Sequence, residues 1–167
     1  MFLRIILFAI LLSNFFAGCD HGLAPPDKNI RTAISGLITY QNWPSPDSLK
    51  DLRLIVFQKY PPGDIIFEIT SGRAHVYPAL GAAGLEFYVE SSKYIFDLSP
   101  GTYQYVVVAQ QYGDNLYSDW RAVGQYDTTG VANDSIPTSV DIFENVILEN
   151  INISVDFNNP PVQPFDI

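Results

Sequence analysis

The chain holds one cysteine, two histidines and nine basic residues. A lone cysteine cannot close an internal disulfide, so no cross-link framework supports the fold. Cys19, His21 and His75 are too few and too scattered to build a zinc cluster. Nine bases stand against eighteen acids, a formal charge of −9. A nucleic-acid binder needs a basic stripe that displaces counterions from phosphates, and this balance excludes one. An acidic surface also opposes non-specific adhesion to anionic lipid. The chain has neither a glycine-rich phosphate loop nor a Gly-x-Ser-x-Gly nucleophile elbow. No amphipathic helix and no internal repeat stand out, and no cofactor is expected.

Apolar and aromatic residues are plentiful. The apolar fraction is 47%, with ten Tyr, eleven Phe and two Trp, too high for a disordered chain. The length of 167 residues suits one ordinary domain.

The first residues, "MFLRIILFAILLSNFFAGC", have three parts. Arg4 charges a short head, Ile5 to Leu12 form an apolar core, and Ala17 and Gly18 are small residues before Cys19. That is the layout of a secretory signal. Ser13 and Asn14 interrupt the run, leaving it short of the ~20 apolar residues a spanning helix needs. Phe16, Ala17, Gly18 and Cys19 resemble the processing site of bacterial lipoproteins, although that family usually has Leu where Phe16 stands. The resemblance implies cleavage before Cys19, lipidation of its thiol and acylation of the new amino group. Stable anchoring needs two or more acyl chains, and such a cysteine carries three. Which membrane receives the anchor is left open.

The expected organisation is a signal peptide over 1–18, a tether over 19–32, a folded domain over 33–158 and a flexible tail over 159–167. His21 then falls in the tether. From Ala33 onward the pattern is strand and turn. In "DLRLIVFQKY", Leu52, Leu54 and Val56 share one face while Ile55 and Phe57 share the other, as in a strand buried on both sides. "IIFEIT", "LEFYVE", "KYIFDL", "TYQYVVVAQQY" and "DWRAVGQY" read as further strands. Residues 75–85 suggest a turn or short helix. In "NINISVDF", Ile151, Ile153, Val155 and Phe157 alternate with polar residues. Seven or eight such strands, with turn signals between them, predict an all-β antiparallel sandwich.

"YIFDLSPGTYQYVVVAQ" resembles the hairpin of carboxypeptidase regulatory-like and transthyretin-like domains, and "NINISVDF" resembles their closing strand. The resemblance covers residues 33–158. It implies a structural or adhesive module.

Candidate sites are few. Most acids sit in turns, without a pocket that would tune them for proton transfer. A small hydrolase would have to rely on His75. The loop "GDNLYSD" offers Asp114, Asn115, Ser118 and Asp119 as oxygen ligands for calcium, with Asp127, Asn133 and Asp134 further along. Asx-rich loops are also ordinary turn chemistry. Trp43, Trp120 and Tyr117, with Tyr112 and Tyr126, are candidates for stacking on sugars. Trp43, between Asn42 and Pro44, is expected to be the more exposed tryptophan. The expected function is a lipid-anchored, non-catalytic envelope module whose partners are the membrane, through its lipid, and another envelope protein. A glycan-binding module is the alternative, and a small hydrolase the third reading.

Overall fold

The computed structural model describes residues 31–129 and 136–164. The signal peptide, Cys19, His21, nearly all of the tether, Asn133, Asp134 and the last three residues lie outside that range. Ten strands are described: β1 (Ala33–Gln41), β2 (Asp51–Phe57), β3 (Ala74–Tyr77), β4 (Ser91–Asp97), β5 (Gly101–Tyr103), β6 (Tyr105–Gln111), β7 (Trp120–Gln125), β8 (Val140–Ile142), β9 (Ile147–Leu148) and β10 (Ile153–Asp156). One short helix, α1 (Ile65–Thr70), and a single 3₁₀ turn (Pro46–Ser48) interrupt them.

One sheet runs β10-β1-β4, with β9 also on β1; the second runs β3-β2-β6-β7; β5 and β8 form a separate pair. The fold is the all-β sandwich that the turn spacing predicts. The strand number is ten rather than seven or eight, because short pieces form around loops that the sequence pattern does not mark. Two pairings are parallel rather than antiparallel: β9 and β10 both lie along β1 in its own direction. Between them the Ile151 N–H donates to the Ser35 carbonyl at 3.0 Å. The Leu37 N–H donates to Asn152 Oδ1 at 2.9 Å, so a side-chain amide stands in for the missing ladder acceptor.

The main core lies between the two sheets. Leu52, Leu54 and Val56 of β2 face it, as do Ile151, Ile153, Val155 and Phe157 around β10. Ile55 and Phe57 belong to a second cluster with Ala74, Tyr105, Val107, Ala109 and Ala122. Strand β2 is therefore buried on both faces, as its unbroken apolar run predicts.

"IIFEIT" forms α1 rather than a strand. The Asp64 carboxylate accepts the Phe67 N–H at 2.8 Å and caps the helix. Ile65 and Ile69, one turn apart, pack against the second cluster. The Arg73 guanidinium donates to both Glu68 oxygens, at 2.8 and 3.0 Å, and holds this buried carboxyl below the usual carboxylate range. "LEFYVE" is irregular. Leu85 is buried and Phe87 and Val89 pack on the core, but Tyr88 takes a positive φ of 59° that breaks any ladder. Within residues 75–85, the first three belong to a strand, and the expected turn follows it, the Ala82 N–H donating to the Ala79 carbonyl at 3.0 Å; His75 lies opposite Val56 in the β2–β3 ladder.

Two tyrosines show what burial asks of a hydroxyl. The Tyr94 hydroxyl donates to the Ile151 carbonyl at 2.6 Å. The Tyr105 hydroxyl is fully buried in the second cluster and finds no partner among the described residues. Burial pushes both phenols above their ordinary pKa.

Candidate functional site

The loop that begins the site is shaped by its own side chains. Asp119 Oδ2 accepts the Asn115 N–H at 2.8 Å, and Asp119 Oδ1 accepts the Ser118 hydroxyl at 2.9 Å. Asn115 Oδ1 accepts the Tyr117 N–H at 3.0 Å, an Asx turn. Asp114 pairs instead with Lys50 at 3.4 Å. The proposed calcium ligands Asp114, Asn115, Ser118 and Asp119 thus spend these contacts on the loop and on Lys50. Asp127 accepts from the Thr129 N–H and hydroxyl, both at 2.8 Å. Among the described residues, no three His, Cys, Asp or Glu side chains gather as a metal site.

This loop presents Tyr117, whose residue is 73% exposed. Trp120, at the start of β7, donates its indole N–H to the Leu116 carbonyl at 2.8 Å and rests against the second cluster. The ring is fixed at one end by that bond and supported beneath by the cluster. Facing the loop is the Pro61–Pro62–Gly63 turn that leads into α1. Together they line a cleft of about 620 Å³, whose walls include Pro62, Ile65, Ile66, Tyr117, Trp120 and Pro164. Among the described residues, Asp64 and Ser118 are its polar side chains besides the Tyr117 and Trp120 tips, and no basic side chain lines it.

Apolar exposure is pronounced here. Ile66 and Tyr117 line the cleft, and their sequence neighbours Phe67 and Leu116 are 57% and 52% exposed. Monomeric proteins seldom display such patches without a use for them. The adjoining edge of β7 is covered. Gln163 accepts the Ala122 N–H at 2.9 Å and donates to the Ala122 carbonyl at 3.1 Å, so its amide acts as a one-residue strand partner.

The structure separates the sequence candidates. Trp120 and Tyr117 share the cleft, and Trp43 lies elsewhere. Trp43 is half-buried rather than exposed, with ring centroids of Phe157, Tyr40 and Tyr88 at 4.7, 4.8 and 5.3 Å. Its indole N–H donates to the Val89 carbonyl at 3.0 Å. His75 sits edge-on to Tyr103 at 5.8 Å, lines neither this cleft nor the smaller pocket described below, and is pushed to a lower pKa by burial. Sequence reading missed Pro61, Pro62, Ile65, Ile66 and Pro164. The paired prolines Pro61 and Pro62 were its one available sign.

No family model matches the chain, and no curated protein or solved structure matches it. Among the described residues, no helix is long and apolar enough to cross a membrane.

Proposed function

We propose that this chain is a lipid-anchored, non-catalytic module of the bacterial cell envelope that binds another envelope protein through the cleft at the start of β7. The observation that carries the reading is the composition of that cleft. Its walls are proline, isoleucine and aromatic side chains, and large apolar groups stand exposed around it. Protein interfaces favour this mixture, with aromatics enriched and charge depleted at the centre. Cys19 supplies the anchor through its likeness to lipoprotein processing sites. The likeness to carboxypeptidase regulatory-like and transthyretin-like domains agrees with an adhesive role.

A second reading rests on Trp120 beside Tyr117, a pair able to stack on a sugar. A glycan also needs several polar side chains to satisfy its hydroxyls. Asp64 and Ser118 add little to the aromatic tips, which favours a protein ligand.

A photo-reactive amino acid at Tyr117, cross-linked in intact cells, tests the reading. A covalent adduct larger than the monomer is expected, and Ile66→Asp should remove it while leaving the fold intact, since Ile66 is already 37% exposed. Recovery of monomer alone would count against a protein partner. A glycan-array signal that Trp120→Ala abolishes would then favour the second reading.

A further inference from the structure

Four arginines lie within the described residues, and three are paired with carboxylates: Arg31 with Asp97, Arg53 with Asp51 and Arg73 with Glu68. The fourth, Arg121 of β7, has no carboxylate partner among the described residues. Its Nε donates to Gln110 Oε1 at 3.0 Å. Gln110 is fully buried and is itself held by donating its Nε2 to the Ser48 carbonyl at 2.5 Å. The guanidinium is therefore positioned from its inner side by a residue that cannot move away. Its two Nη atoms make no hydrogen bond with a described residue.

Arg121 lines a pocket of about 410 Å³ with Ser48, Tyr112, Pro160 and Gln163. No acidic side chain among the described residues lines it. The Gln163 amide is committed to Ala122 and Pro161, and the Ser48 hydroxyl to Ser45. The Tyr112 phenol has no hydrogen bond to a described residue. Arg121, with both Nη atoms uncommitted, and Tyr112, with its hydroxyl uncommitted, are thus the lining residues able to donate to a ligand. A carboxylate or a phosphate meets a guanidinium fork with two parallel bonds, a match that a halide does not reproduce.

We propose that this pocket binds an oxyanion, a carboxylate or a phosphate, held end-on by the Arg121 Nη atoms and by the Tyr112 hydroxyl. The site is distinct from the apolar cleft and does not depend on the reading given to that cleft. The overall charge of −9 works against any anion, but at physiological salt charges beyond about 8 Å are largely screened.

NMR titration of the folded protein with sodium acetate and with sodium phosphate tests the proposal, using the Ala122 backbone amide resonance as the probe, which every variant keeps, and sodium chloride as the control. Either oxyanion should shift that resonance saturably, and chloride should shift it less. Arg121→Lys should weaken binding about tenfold, since it keeps the charge but loses the planar fork. Tyr112→Phe, which leaves the guanidinium and its Gln110 support in place, should weaken it severalfold. A peptide binding through its free C-terminus, but not as the C-terminal amide, would assign the source to a polypeptide; equal binding of acetate and the peptide would assign it to small organic acids. No saturable shift with either oxyanion, or equal shifts with acetate, phosphate and chloride, would overturn the proposal.

Discussion

Gly36→Ala should destabilise the domain by about 3 kcal/mol or more, the upper end of what overpacking costs. Gly36 lies in β1 where the chain between β9 and β10 crosses it. A Cβ there would overlap the Ile151 carbonyl oxygen and come within 2.6 Å of the carbonyl carbon. That carbonyl also accepts the Tyr94 hydroxyl at 2.6 Å, and the next residue, Asn152, accepts from Leu37. Moving the Ile151 backbone would therefore strain several bonds together. Gly113 offers the contrast. A Cβ there would overlap the Asp119 carboxylate, the end of a side chain that can rotate away. Gly113→Ala should cost about 1 kcal/mol, the scale of a lost exposed hydrogen bond. Urea denaturation of the two variants checks the contrast. Equal losses would mean that the close approach at Gly36 does not hold the sheet edge in register.

The second large effect is expected at Arg53, where Arg53→Ala should cost roughly 3 to 5 kcal/mol, as removing one partner of a buried ion pair does. Arg53 is only 5% exposed. Its Nε donates to Asp51 at 2.7 Å, Nη1 to the Pro78 and Ala79 carbonyls at 2.9 and 3.1 Å, and Nη2 to the Ala82 carbonyl at 2.8 Å. One guanidinium thus satisfies a carboxylate and three carbonyls of the turn after β3. Without it, these acceptors lose their donor. Arg53→Lys should recover little of the loss, because an ammonium cannot reach acceptors spread across a planar fork. Thermal unfolding of both variants checks this, and full rescue by lysine would show that charge alone matters there.

The contrast between what sequence pattern conveys and what it leaves out has physical causes. Strand β2 was readable because its two apolar faces lie on adjacent residues, and burial on both sides demands that pattern. The alternation from Ile151 to Phe157 was readable for the same reason. Alternation carries no information on strand direction, so the parallel pairing of β10 with β1 was invisible. The sequence "IIFEIT" has strand-like composition, yet the Asp64 cap and the Glu68–Arg73 pair favour a helix, an override of intrinsic propensity by local contacts. The cleft draws on three distant stretches, residues 61–66, 117–120 and Pro164, and only the folded chain brings them together. The Asx residues of its loop read as metal ligands because turn-building and ion-binding use the same side chains. Trp43 read as exposed because its neighbours are polar or proline, whereas its ring contacts, Tyr40 apart, come from residues 88 and 157.

The proposed anchor, through which the sandwich would be held at a membrane surface, depends on Cys19. Metabolic labelling with a palmitate analogue, comparing the parent with Cys19→Ala, tests it most directly. The account predicts that the parent takes up label and fractionates with membranes, and that Cys19→Ala does neither. Equal labelling of the two proteins would contradict it.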